Sequence, residues 1–138
     1  MGINPDQNCE ALYRAAIAAM DHAYTPYSNH PVASAIRADN GNVYTGVNVE
    51  VAHYKGLCAE ASAIAAMITD GQYKIADIAV IGPGESLCTP CGDCRQRIRE
   101  FADEDTTIHV MDKSGVVLKS YTMDELLPDS FGPENLLN

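Results

Sequence analysis

The chain has 138 residues, 46% of them hydrophobic, enough for one core of ordinary size and too few for a second folded domain. With 19 acidic against 9 basic residues the formal net charge is -10, so nucleic-acid phosphates and anionic membrane surfaces are repelled. No apolar run approaches the roughly 20 residues of a membrane helix, and Met1-Gly2-Ile3-Asn4-Pro5 lacks the basic and apolar regions of a signal peptide. The expectation is a soluble cytoplasmic protein with neither a nucleic acid nor a membrane as partner. Cysteines number 5, and Cys58, Cys88, Cys91 and Cys94 fall in the central stretch, which suits thiolate chemistry in a reducing compartment better than a disulfide framework.

In chain order, Leu12, Ala15, Ala16, Ala19, Met20 and Ala23 recur at helical spacing. They predict a first helix ending near Ala23, with Asn4 as N-cap and Pro5 at its first position. Tyr24 to Pro31 is rich in proline and turn formers and reads as a shaped loop. Strands over Val32–Ala38 and Val43–Val47 flank the hairpin turn Asp39-Asn40-Gly41. A second helix starts at or near Cys58, runs through Met67 and stops at Gly71. Ile75–Ile81 is a buried strand, and Pro90 opens a third helix over Cys91–Phe101. Ile108–Met111 and Val116–Leu118 surround another hairpin turn, and Thr122-Met123-Asp124-Glu125 is a capping box before a short helix that Pro128 ends. The order α-β-β-α-β-α-β-β-α predicts a single α/β domain over residues 1–138, with a five-stranded mixed sheet covered by helices. Helices bridging strands two to three and three to four predict parallel neighbours at both places.

Chemistry concentrates in Cys58-Ala59-Glu60 and in Pro90-Cys91-Gly92-Asp93-Cys94, with 32 residues between Cys58 and Cys91. Three thiolates suit zinc, and three protein ligands rather than four leave one position open for water, as in catalytic sites. Zinc lowers the pKa of bound water, and attack on a ring carbon also needs a group to carry the proton to the leaving nitrogen. Glu60, two residues from a ligand, is the candidate. A ligand-x-Glu followed by Pro-Cys-x-x-Cys is the pattern of zinc deaminases, three-cysteine forms included. Cys58, Cys91 and Cys94 all sit at predicted helix starts, where helix dipoles offset thiolate charge and are expected to depress the thiol pKa values.

With Tyr27-Ser28, Gly46-Val47-Asn48-Val49-Glu50, Cys58-Ala59-Glu60, Pro90 to Gln96, Glu125 to Pro128 and Ser130-Phe131-Gly132-Pro133 in one order, the chain resembles the small homotetrameric zinc-dependent cytidine deaminases from its first helix to its carboxyl end. The resemblance implies a three-layer cytidine-deaminase-like fold and one zinc per chain. It also implies hydrolysis of cytidine and deoxycytidine to uridine and deoxyuridine with release of ammonia. Asn48 and Glu50 would bind the nucleoside sugar, Ala59 and His30 would line the substrate, and Phe131 would close over a site shared between subunits of a homotetramer. Alternation in extended chain lets an amide and a carboxylate two residues apart face one way, which suits sugar hydroxyls. The chain departs from the common pattern at His30, where a phenylalanine is usual, at Ala33-Ser34, where Gly-Ala is usual, and at Ala61, where many members carry an arginine that relieves thiolate charge. Arg95 or the helix dipoles are expected to carry that role instead. The loop between Tyr54 and Cys58 is one residue shorter than in common members.

Other readings stay open at this point. Cys88 creates an overlapping Cys88-x-x-Cys91, so a closed four-cysteine structural site is one alternative. A deaminase for a modified cytosine nucleoside or nucleoside antibiotic is a second, encouraged by His30 and Ala61. A third is a zinc-stabilised binding module without turnover. His30 and His53 also read as ordinary loop histidines, and Cys9 as an ordinary thiol near the first helix's start.

Overall fold

The computed structural model describes residues 5–137, with side chains from Cys9 onward; the expected Asn4 cap lies outside the described residues. Its elements are α1 (Pro5–Met20), β1 (Ala33–Ala38), β2 (Val43–Val47), α2 (Ala59–Thr69), β3 (Ile75–Ile81), α3 (Gly92–Phe101), β4 (Thr107–Met111), β5 (Val117–Thr122) and α4 (Met123–Leu126), followed by a 3-10 turn over Pro133–Asn135. The strands form one sheet in the order β2-β1-β3-β4-β5. Only β3 and β4 pair in parallel; the other neighbours are antiparallel.

The sheet separates two apolar layers. Cys9, Leu12, Ala16 and Met20 of α1 pack on Ala33, Ala35, Ala79, Ile81 and Met111. On the opposite face, Ala63, Ile64 and Met67 of α2, Ile98 of α3, and Met123 and Leu126 of α4 pack on Ile36, Ile78 and Ile108. Helix, sheet and helix thus make the three layers expected. β3 sits at the centre and is apolar on both faces, which is why it reads as a continuous run rather than an alternating one. The hairpin turn closes with Gly41 at φ +90°, and the Thr122–Glu125 capping box forms reciprocally, at 3.1 Å and 2.9 Å.

Two expectations need correction. β2 and β3 are not neighbours, because β1 lies between them and pairs antiparallel with both. The α2 crossover therefore skips one strand, which a rule about consecutive elements does not reveal. β5 begins one residue later and runs four residues beyond the expected Leu118. Five of its six residues are exposed, so the edge strand carries no buried alternation by which its length could be read.

Candidate metal centre and substrate cavity

Two helix N-termini on the same face of the sheet build the centre. Cys58 is the N-cap of α2 and Cys91 the N-cap of α3; both have extended backbone, and neither side chain makes a capping hydrogen bond. At these positions a serine or aspartate would turn back onto the helix N–H groups. The sulfurs meet each other instead, at 3.9 Å between Cys58 Sγ and Cys91 Sγ. Buried Cys94, one turn into α3, completes a cluster whose three sulfurs all lie within 4.8 Å of one another. Tetrahedral zinc with sulfur at about 2.3 Å sets its ligands about 3.8 Å apart, so the donor set and its spacing fit that ion.

Burial pushes the Cys58 thiol up, and neighbouring Cys91 adds to the effect although a hydrogen bond with Cys94 opposes it. Cys94 is raised further, by burial first and then by the charge of Glu60 and the proximity of Cys58. For Cys58 and Cys94 the shift thus runs upward, with burial its largest cause. A cation entering the cluster displaces protons from these thiols as it binds.

Gly46 sets the depth at which α2 sits. It lies directly opposite Ser34 in the sheet, and Ser34 lies opposite Val80. Buried Ser34 satisfies its hydroxyl by donating to the Ala79 carbonyl at 2.9 Å. A Cβ at Gly46 would fall 2.2 Å from the Ala63 backbone nitrogen and 2.5 Å from the Ala59 carbonyl oxygen. The helix that carries Cys58 and Glu60 thus rests directly on a strand without a side chain, a reason for this glycine that its place in a motif does not disclose.

A cavity of about 210 Å³ opens beside the cluster, lined among others by Glu60, Ala59, Asn48, His30 and Cys88. Glu60, only 4% exposed, is the second residue of α2, and burial pushes its carboxyl above the ordinary value. Asn48 is engaged at both ends of its amide: Oδ1 accepts from Val32 N and Nδ2 donates to His30 O, each at 2.9 Å. Glu50 faces a second cavity, of about 340 Å³, with Tyr27, Ser28 and Tyr54. Its carboxylate accepts from the backbone N–H groups of Tyr27 and Ser28, each at 3.1 Å, and from the Ser28 hydroxyl. The expected sugar-binding pair is therefore also the clamp of the Tyr24–Pro31 loop.

Other expected residues fall elsewhere. Phe131 is 58% exposed and lines neither cavity, and its carbonyl accepts from Gln96 Nε2 at 2.8 Å. Arg95 donates to Pro90 O at 2.8 Å, Leu126 O at 2.9 Å and Thr89 Oγ1 at 3.2 Å, so it ties the loop before Cys91 to α4. Cys88 stands apart from the sulfur cluster and meets His30 Nε2 at 4.0 Å. A closed four-cysteine site is thus not what the chain assembles. A larger cleft of about 560 Å³ runs along Arg99, Asp103 and Glu134, with no thiol at its walls.

A three-layer sheet that presents three thiols and a buried glutamate at two helix N-termini defines the class of zinc-binding deaminase domains. The family profile described as "Cytidine and deoxycytidylate deaminase zinc-binding region" matches residues 6–110. The cytidine deaminase of Sporosarcina psychrophila is 34% identical over 128 residues, covering 92% of this chain and 93% of its own length. That of Mycoplasma pneumoniae is 41% identical over 115 residues, 81% of this chain and 85% of its own. The crystal structure of cytidine deaminase from Burkholderia pseudomallei superposes with a TM-score of 0.82 at 37% identity, over 88% of this chain and 98% of that one. The chain belongs to the cytidine deaminase family.

Proposed function

We propose that the chain, acting as one domain, hydrolyses the amino group of cytidine and deoxycytidine, yielding uridine or deoxyuridine and ammonia. The observation that carries this reading is the opening of the three-sulfur cluster onto the same small cavity as a buried glutamate. Cys58, Cys91 and Cys94 would hold the zinc, which would supply Lewis acidity and activate water at that place. Glu60 does the proton work: burial raises its affinity for a proton, which suits a group that takes one up and gives it to the departing amine. Ala59, first residue of α2, brings the N-terminal end of that helix to the cavity wall. Asn48 and Glu50 serve the sugar through the lone pairs and the N–H that the loop does not use.

The substrate class follows from relatives named cytidine deaminase. The net charge of -10 argues against polynucleotides and anionic membrane surfaces as partners, and among the described residues no helix is long and apolar enough to cross a membrane. The proposed setting is the cytoplasm. The proposed assembly is a homotetramer in which exposed Phe131 reaches a neighbour's site, and Leu136 and Leu137, 74% and 81% exposed, give the tail an apolar surface to bury.

A panel of cytidine, deoxycytidine, cytosine and adenosine, followed by ultraviolet absorbance, tests the activity. Turnover of the first two with little of the others is expected, and a zinc-loaded chain inert towards both cytosine nucleosides refutes the proposal. Light scattering of the full chain and of a chain ending at residue 128 tests the assembly. An active monomer, or a truncated chain with unchanged assembly and KM, removes the shared site.

A further inference from the structure

We propose that Cys88, with His30 beside it, forms the wall of the base pocket that sets which substituents at pyrimidine C5 are accepted. This rests on the deamination reading above. The reacting carbon C4 belongs beside Glu60, Cys58 and Cys91, and the sugar on N1 toward Asn48, all of which line this cavity. Those two placements orient the long axis of the ring and leave its two edges and two faces to the other walls. The N3 and O2 edge needs hydrogen-bond partners, which the N-terminus of α2 at Ala59 and the Glu60 carboxyl provide. The C5–C6 edge carries only C–H groups and turns to the remaining walls, His30, Val32, Val80 and Cys88.

Within that wall, Cys88 is backed by the main chain and His30 is anchored through its backbone. Gly82 backs Cys88 so closely that a Cβ there would fall 2.7 Å from Cys88 Cβ and 3.1 Å from its sulfur. Cys88 Sγ lies 4.0 Å from His30 Nε2 on the other side. His30 is pinned through its backbone: its N–H donates to Ser28 Oγ at 3.1 Å and its carbonyl accepts from Asn48 Nδ2 at 2.9 Å. Ser28 in turn is gripped by Glu50. The two residues assigned to the sugar thus also hold the histidine of the base wall, so the sugar and base subsites form one unit.

The test is the ratio of kcat/KM for 5-methylcytidine to that for cytidine, measured on zinc-loaded protein with metal content determined for each variant. A single methyl-sized group in a fixed apolar pocket commonly changes specificity by about 10-fold or more. Cys88→Ala, which removes the sulfur, should therefore raise the ratio by about 10-fold, and Cys88→Leu, which adds bulk, should lower it by a similar factor. His30→Ala opens the wall from its other member and should raise the ratio even if Cys88→Ala fails to fold. A ratio unchanged within about twofold in the folded, zinc-bearing variants overturns the wall while leaving cytidine deamination intact. Loss of zinc in Cys88→Ala also overturns it, since Cys88 would then be a metal ligand. A wild-type chain that does not deaminate cytidine refutes the underlying reading and the wall together.

Discussion

Gly46→Ala tests whether the seating of α2 on β2 holds the reactive groups in place. The added Cβ would stand 2.2 Å, 2.5 Å and 2.7 Å from the backbone of Ala63, Ala59 and Ser62. None of these atoms can rotate aside, so relief requires α2 to lift by about 1 Å, the difference between such a distance and ordinary van der Waals contact. Overpacking a well-filled interior typically costs about 1–3 kcal/mol, and a clash with backbone belongs at the upper end. For a chain of this size that lowers Tm by about 10 °C. Function suffers beyond stability, because the first turn of α2 carries Glu60 and its cap is Cys58. A misplacement of about 1 Å at a reacting centre costs about 100-fold in rate. Circular-dichroism melting, zinc analysis and initial rates on the folded fraction read out the three effects. A variant that melts within about 2 °C of wild type, with one zinc per chain and normal kcat, refutes the reasoning.

Glu60→Gln keeps fold and zinc and loses about 10²–10⁴-fold in turnover, since the amide preserves shape but carries no proton; metal analysis beside rate measurement checks it, and near-normal turnover removes Glu60 from the mechanism. Cys58→Ser loses zinc by elemental analysis whereas Cys88→Ser keeps one per chain, and the opposite pattern would show the ligand assignment to be wrong. The Glu50 carboxyl is held below the ordinary range, first by the Ser28 hydroxyl and then by the Ser28 and Tyr27 N–H groups. Its lowered folded value means that the loop clamp is complete above the usual glutamate pKa and is lost only as pH falls through the lower one. Amide chemical shifts of Tyr27 and Ser28 should therefore titrate below about 4.3, and should not titrate in Glu50→Gln; a midpoint at or above the ordinary value contradicts the clamp.

Much of the architecture is local, and local features were readable. Helix starts at Cys58 and Cys91, the turn at Gly41 and the Thr122 capping box each depend on a few consecutive residues whose backbone demands are specific. The metal cluster was readable for a different reason, since thiol softness and ligand spacing restrict what three cysteines and a glutamate can do. Non-local facts escaped. The insertion of β1 between β2 and β3 is a long-range pairing that no run of consecutive residues records. Asn48 and Glu50 suggest sugar chemistry, yet their grip on residues 27–32 depends on the conformation of a loop whose prolines and turn formers show that it is shaped but not what holds it. The pairing of His30 with Cys88 joins positions 58 residues apart, so no motif contains it.

The charge of the centre shows how position in the fold replaces a side chain. Three thiolates around a dication leave one net negative charge, and Ala61 offers nothing to offset it. Arg95 makes its hydrogen bonds to Pro90, Leu126 and Thr89, so its fork is committed to holding the Thr89–Pro90 segment against the end of α4. What remains are the helices. Cys58 and Cys91 each cap one, with extended backbone, so the sulfur cluster lies at two helix N-termini. A helix N-terminus is equivalent to about half a positive elementary charge, so two of them supply about the one charge required. Since the dipole effect falls off within the first turn, compensation depends on both cysteines standing at the caps themselves. Arg95 contributes indirectly, by fixing the residues that immediately precede Cys91 and hence the approach of α3 to the metal. Arg95→Lys preserves the charge but cannot reproduce three hydrogen bonds in one plane. Weaker zinc retention in that variant than in wild type, measured by competition with a chelator, distinguishes this positioning role from a purely electrostatic one, for which the lysine would suffice.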